Sequence, residues 1–120
     1  MKLNLAEVVN LNRGLPKLVD KELPIRVSYR LFKLLERCAK ELEVLEKARV
    51  KLVEKYADPL KTEEDMKVKE ESMNDFQKEF GGLLDEEVEI EFEPMAIEDL
   101  EGIQLSARDL ILLQRIIKEK

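Results

Sequence analysis

The sequence contains no histidine, and it has only one cysteine and four glycines. Without histidine, neither a Ser–His–Asp nor a Cys–His catalytic arrangement can form, and zinc lacks one of its usual ligands. No glycine-rich phosphate loop is present. A single cysteine cannot form an intrachain disulfide, which fits a reducing compartment. The sequence therefore predicts a protein that is not an enzyme, with no catalytic residues, no metal site and no cofactor.

Long apolar runs are also missing. No stretch approaches the roughly 20 apolar residues that cross a membrane. The N-terminal segment lacks the apolar core and the small-residue cleavage pattern of a signal peptide. The chain is therefore expected in a cytoplasm, or in a particle assembled there, without a membrane partner.

Charged residues make up 40% of the 120 residues, and the formal net charge is −6. Residues 1–57 hold 13 Lys/Arg against 8 Asp/Glu, a net +5, whereas residues 58–120 hold 8 against 19, a net −11. The second half is therefore not expected to bind DNA directly. The asymmetry lets the two halves attract one another, within a chain or between chains.

A long helix over about 28–57 is the clearest predicted element. Positions that advance alternately by 3 and 4 form its apolar seam, interrupted by one arginine: Leu35, Cys38, Leu42, Leu45, Arg49, Leu52 and Tyr56. At 1.5 Å per residue this helix is about 43 Å long, more than a compact core of this size covers. A coiled-coil contact with another copy through the apolar seam is therefore expected, which predicts a homo-oligomer.

Shorter helices and a small strand complete the predicted fold, a mostly helical α+β single domain. Two helices are expected to begin with capping boxes, in which Asn4 pairs with Glu7 and Ser106 pairs with Asp109. Residues 58–71 (DPLKTEEDMKVKEE) are charged and poor in apolar side chains, which indicates a linker or loop within the domain.

Residues 24–29 have two interpretations. Apolar and polar side chains alternate there, as in a short strand, but the same residues also suit the start of the long helix, with Ser28 as its N-cap. The interpretation we adopt is an extended segment to about Val27 and a helix from Ser28.

The stretch EVEIEFE at residues 87–93 alternates glutamates with Val88, Ile90 and Phe92. Alternate side chains of a strand share a face, so the glutamates point one way and the apolar side chains the other. A metal ion needs carboxylates that converge on one point, and a straight row diverges. The solvated face of a half-buried strand is therefore favoured over a metal site, a catalytic pair or a partner-binding edge. Residues 24–29 are its candidate pairing partner.

Basic residues recur every three to five positions between residues 13 and 40, with Tyr29 and Phe32 among them. Arg26, Arg30 and Arg37 are the candidate anion contacts, because guanidinium groups bind phosphate and carboxylate. The competing and favoured interpretation is a solvated helix face, or a contact with the acidic half of the chain.

Three stretches together resemble a family of small uncharacterised proteins of tailed bacteriophages and prophages. They are LPIRVSYRLFKLL, LEKARVKLVEKYAD and VEIEFEPMAIEDLEGIQLSARDLILLQRII. In that family a Leu-Pro-Ile/Val-Lys/Arg segment leads into a long helix, and an acidic β stretch with a further helix closes the chain. The resemblance covers about residues 20–117. It implies a phage context, in the host cytoplasm or the virion, and carries over no catalytic or binding residues.

The expected function is therefore that of a non-enzymatic, phage-encoded protein that acts through protein–protein contacts. Its expected partners are a further copy and a phage structural or host protein, in virion assembly or in an accessory role. The alternative is an anti-defence inhibitor. Such an inhibitor would act as an acidic nucleic-acid mimic, or as a sponge that holds a small signalling nucleotide with its arginines.

Overall fold

The structure, a computed structural model, describes residues 1–57 and 68–118. Its helices are α1 Leu5–Gly14, α2 Pro16–Val19, α3 Ile25–Tyr56, α4 Met73–Leu84 and α5 Ala107–Leu113. Its strands are β1 Lys2–Asn4, β2 Glu87–Glu89, β3 Met95–Ala96 and β4 Ile117–Lys118, and short 3₁₀ turns span Glu70–Ser72, Ile97–Leu100 and Gln114–Ile116. The prediction of a mostly helical α+β protein with one long helix is confirmed.

Helix α3 begins earlier than predicted. Pro24 is extended, and its carbonyl oxygen accepts the first helical hydrogen bond from the Ser28 amide at 3.0 Å. The predicted N-cap role of Ser28 and the strand interpretation of residues 24–29 are therefore wrong. The Ser28 hydroxyl instead donates to the Leu23 carbonyl oxygen at 3.4 Å. The 32 residues of α3 give a helix about 48 Å long.

The chain covers much of α3 with its own helices. The molecule measures 55 × 25 × 25 Å, so it is elongated along this helix rather than compact. Helix α1 packs against α3, and α4 folds back so that the Phe76 ring meets the Tyr56 ring edge to face, with centroids 6.5 Å apart. Beside this contact, Lys55 Nζ lies 2.8 Å from Glu79 Oε1. The expectation that the helix is longer than its own chain can cover rested on a compact shape that the molecule does not have.

The core is built from apolar, mostly aliphatic side chains of α1, α2, α3 and α5, of strands and of connecting segments, and none comes from α4. Its buried members are Leu3, Val8, Leu11, Leu15, Leu18, Leu31, Leu34, Cys38, Ile90, Met95, Leu100, Leu113 and Ile116. No polar or charged residue among the described ones is buried. The stability of the fold therefore comes mainly from apolar burial and packing.

The stretch EVEIEFE, residues 87–93, which we name the acidic stretch, pairs with the N-terminal strand of the chain. Strand β2 is antiparallel to β1, with Leu3 opposite Val88, so the predicted pairing with residues 24–29 is wrong. Those residues already belong to α3, which uses their backbone groups. The strand ends at Glu89 rather than Glu93. The apolar side of the stretch nevertheless faces inward as predicted, with Ile90 only 1% exposed and the glutamates in solvent.

Both predicted capping boxes are confirmed. The Glu7 amide donates to Asn4 Oδ1 at 2.8 Å, and the Asp109 amide donates to Ser106 Oγ at 3.0 Å. Most of the predicted 58–71 linker, residues 58–67, lies outside the described residues. Within the described part of the chain, no helix combines the length and the apolar character needed to cross a bilayer.

We expect Ile90→Ala to lower the free energy of unfolding by about 2–5 kcal/mol, because it removes a fully covered side chain from the core. The matched control is its neighbour, Glu91→Ala, which is exposed and should change stability by no more than about 0.5 kcal/mol. Urea unfolding of both variants checks this. Equal losses would contradict the placement of the two faces.

Two glycines should respond in opposite directions to substitution by alanine. A Cβ at Gly14 would lie 2.9 Å from both Leu112 Cβ and Leu113 Cγ, whereas at Gly82, inside α4, it meets nothing within 4 Å. We expect Gly14→Ala to destabilise the fold by about 1–3 kcal/mol through overpacking. Gly82→Ala should stabilise it by about 0.5–1 kcal/mol through helix propensity. Thermal unfolding that shifts both variants the same way would contradict this packing.

Candidate functional site

The apolar seam is largely covered within the chain. Cys38 and Leu45 are buried, and Leu35, Leu42 and Leu52 are half-buried. Of these, Cys38 belongs to the core itself, and Leu35 and Leu42 pack against it. A contact between copies through the apolar seam, which stays a prediction, would therefore be confined to the half-buried positions unless the fold opens.

The two remaining seam residues, Arg49 and Tyr56, also have partners inside the chain. Arg49 holds Glu46 with both ends of its guanidinium, at 2.8 Å from Nε to Oε2 and 2.6 Å from Nη2 to Oε1. This contact lowers the pKa of the Glu46 carboxyl. Tyr56 packs against Phe76, as described above. The one charged interruption of the seam is thus neutralised by a neighbour one turn away on the same helix.

The Cys38 thiol is not suited to nucleophilic chemistry in the folded chain. Its side chain is 0% exposed, and burial raises its pKa to about 11, an effect that Arg37 opposes and Glu41 reinforces. Reactive cysteines have lowered pKa values and are accessible. Cys38 therefore acts as a small apolar core residue.

The three candidate anion contacts are placed differently from one another. Arg26 is exposed and has no hydrogen bond or ion pair within residues 1–57 and 68–118. Arg30 donates to the Glu93 carbonyl oxygen, and its guanidinium carbon lies 5.0 Å from the centroid of the Phe92 ring. These contacts fasten the end of the acidic stretch to α3.

Arg37 has a similar role about two helical turns further along α3. Its Nη2 donates to the Glu89 carbonyl oxygen at 3.3 Å, and its Nη1 lies 2.6 Å from Glu41 Oε1. Two of the three predicted arginines thus hold the acidic stretch in place. The competing interpretation, a contact between the basic helix and the acidic half, describes these two better than an open anion site.

A basic groove of about 520 Å³ runs between α3 and the end of the acidic stretch. It is lined by Arg30, Lys33, Glu36, Arg37, Lys40, Glu91, Phe92 and Glu93. The four cations face three carboxylates, so the excess charge is small. Arg26 does not line this groove, and the three arginines therefore do not converge on one pocket. No group of three or more potential ligand side chains in the described part of the chain is placed to hold a metal ion.

Three exposed large apolar side chains lie close together at the start of α3. Ile25, Tyr29 and Phe32 are 83%, 60% and 56% exposed, and we name them the aromatic patch. At about 100° per residue they fall within roughly 60° of one another, on the side of α3 turned away from the core. A small cavity of about 130 Å³ borders Phe32 and reaches the covered Leu18 and Leu31.

A basic flank runs along one side of the aromatic patch. Arg26, Arg30 and Lys33 are one residue removed from the patch positions, which places them roughly a quarter turn around the helix. The Lys33 ammonium lies 5.7 Å from the centroid of the Tyr29 ring. An exposed aromatic surface with a positive edge thus stands on a chain whose overall charge is −6.

Sequence reasoning did not single out the aromatic patch, although it noted Tyr29 and Phe32 among the basic residues. The signal was available in the helical period. The buried Leu31, Leu34 and Cys38 occupy one side of α3, and Ile25, Tyr29 and Phe32 are offset from them by about half a turn. A helix with apolar residues on two sides offers more apolar surface than one core contact can cover.

No protein-family model, curated protein or solved structure matches the chain.

The buried thiol predicts a pH dependence of stability. The unfolded thiol ionises near pH 9, whereas the folded thiol stays protonated to about pH 11. Between these two pH values the folded chain binds one proton more than the unfolded chain. The contribution of the thiol to stability is therefore complete below pH 9 and is lost as pH rises to 11. A difference of two pKa units corresponds to a loss of about 2–3 kcal/mol.

The control is Cys38→Ala, which removes this titration and keeps all other ionisable groups. Between pH 9 and 11 we expect the free energy of unfolding of the parent chain to fall relative to that of Cys38→Ala. Urea unfolding of both chains at each pH measures this. A difference that stays constant from pH 8 to 11 would show that the folded thiol ionises freely.

Proposed function

We propose that this protein is a non-enzymatic binding protein that holds another protein against the aromatic patch. The observation that carries the proposal is the exposure of Ile25, Tyr29 and Phe32 on the side of α3 opposite the core. Most other large apolar side chains of the described chain are covered at least in part. Contiguous exposed apolar residues with a polar edge are typical of protein interaction sites.

The side chains of the aromatic patch suit an interface energetically. Aromatic residues are enriched in interfaces, because they bury a large area while losing few rotatable bonds. A single fully enclosed aromatic anchor contributes about 2 kcal/mol or more when it is truncated to alanine. The cavity beside Phe32 offers a recess at the edge of the patch for a side chain of the partner.

The basic flank favours an acidic partner surface. Opposite charges at the rim of an interface speed association and select the partner more than they add affinity. A symmetric antiparallel pairing of two patches would place the basic flanks of both copies side by side, which like charges disfavour. If the partner is a second copy, the patch is therefore better matched to the exposed glutamates of the acidic stretch than to another patch.

The phage context rests on the resemblance of the three stretches described above. In that context the partner would be a phage structural protein or a host protein, and the role would be in virion assembly or as an accessory factor. The exposed apolar surface of the patch supports both proposals, because each role requires contact with another protein.

The basic groove bears on the alternative function, an anti-defence sponge for a signalling nucleotide. Lys33 and Lys40 line it as further cations, and Phe92 adds an aromatic ring. It ranks second because Arg30 and Arg37 already donate to backbone carbonyl oxygens. A nucleotide phosphate would have to share these guanidinium groups with the acidic stretch.

Site-specific photocrosslinking tests the proposal. We expect a benzoylphenylalanine placed at Tyr29 or Phe32 to give one discrete protein adduct in cells that make the chain. The matched control is Val44, which is 64% exposed on the same helix but lies off the patch. Equal adducts from all three positions, or none from the patch, would contradict the proposal.

The partner identified from such an adduct should then be purified and titrated. Phe32→Ser should weaken its binding at least tenfold, whereas Val44→Ser should change it less than about twofold. Arg26→Glu should slow association and reverse its salt dependence if the partner surface is acidic. Sedimentation of the purified chain alone shows whether that partner is another copy.

A further inference from the structure

A second candidate site lies away from the aromatic patch, in a cleft of about 520 Å³ enclosed by α1, α3 and α4. We name it the three-helix cleft. Its walls are mainly apolar, formed by Val9 of α1, Leu42 and Leu45 of α3, and Phe80 and Leu84 of α4. The middle of the predicted apolar seam thus forms part of the lining of this cleft.

One positive charge at the three-helix cleft has no partner among residues 1–57 and 68–118. Arg13 lines the cleft, is exposed, and has no ion pair or hydrogen bond within the described parts of the chain. Arg49 also lines it, but its guanidinium is held by both carboxylate oxygens of Glu46. Of the two guanidinium groups in the lining, Arg13 is therefore the one that no described residue engages, and its donors can serve a ligand.

We propose that the three-helix cleft binds a small amphiphile with an unbranched apolar chain and a single carboxylate, of the class of free medium-chain fatty acids. Ligand pockets typically measure about 300–1,000 Å³ and combine apolar walls with a few polar groups. The apolar chain lies against Leu42, Leu45 and Phe80, where it displaces water from the half-buried Leu42 and Phe80. The carboxylate receives hydrogen bonds from Arg13.

The charge and the walls of the cleft favour this class over other ligands. A nucleotide or inorganic phosphate carries two or more negative charges and little apolar surface, which one free guanidinium and an apolar lining match poorly. A neutral apolar molecule would leave Arg13 unused. This inference is independent of the proposed function, because none of the cleft residues named here belongs to the aromatic patch.

Titration with octanoate below its micelle concentration tests the proposal, followed by methyl resonances in NMR spectra of the full chain. We expect saturable 1:1 binding that shifts the methyl signals of Leu42, Leu45 and Leu84 and leaves Ile25 unchanged. Decanoate should bind about tenfold more tightly, because two more methylene groups are buried. Failure to saturate, or shifts confined to Ile25, would overturn the proposal.

Two variants with matched controls locate the ligand. Arg13→Gln should weaken octanoate binding about threefold and leave 1-octanol binding unchanged, whereas Arg108→Gln, on the exposed side of α5, should alter neither. Ala6→Phe fills the cleft and should abolish binding, whereas Ala39→Phe, at an exposed position of α3, should preserve it. Circular dichroism confirms that each variant folds.

The comparison of the parent chain with Arg13→Gln tests the carboxylate contact even if Ala6→Phe does not fold. An octanoate affinity that is equal in the parent chain and Arg13→Gln would overturn the assignment of the carboxylate contact. A chain that binds anionic lipid vesicles but not free octanoate would overturn the choice of a free ligand. The parent chain saturating with octanoate, together with selective loss in Arg13→Gln, supports the proposal.

Discussion

The structure depends on covering the leucine face of α3 with the rest of the same chain. A helix of 32 residues is not stabilised sufficiently by its own backbone hydrogen bonds, because most helical stability in proteins comes from packing of the apolar face. The core covers its first part, where Leu31 and Leu34 are buried, α1 lies beside its middle, and α4 packs near its end. The arginines of α3 then tie down the acidic stretch, whose Ile90 completes the core. Loss of the α3 packing would therefore release several elements at once.

The two candidate sites follow from the places where this cover is incomplete. At the start of α3 the core occupies one side only, and Ile25, Tyr29 and Phe32 remain outside it. In the middle, α1 and α4 approach α3 from different directions and leave the three-helix cleft between them. Exposed apolar surface costs free energy that a bound partner or ligand recovers. The same shortage of cover thus accounts for both a surface suited to a protein and a recess suited to a small amphiphile.

Local features were predictable from the sequence, and long-range ones were not. The capping boxes at Asn4 and Ser106 depend on side chains three residues apart, so their pattern is visible in the chain itself. The inward and outward faces of EVEIEFE follow from the two-residue period of an extended chain. The pairing of β2 with β1 and the backbone contacts of Arg30 and Arg37 join residues more than 50 positions apart, and no local pattern encodes them. The sequence did not reveal that the chain covers much of α3 itself, because this depends on α4 folding back along the helix, which is also a long-range contact.

Amide hydrogen exchange along α3, at a concentration where sedimentation shows a single copy, tests most directly whether the chain covers this helix itself. The account predicts strong protection of the amides from Leu31 to about Tyr56 in the isolated chain, with faster exchange only at the exposed start near Ile25. Exchange of residues 46–56 at the rate of an isolated helix, with protection gained only as copies associate, would contradict it.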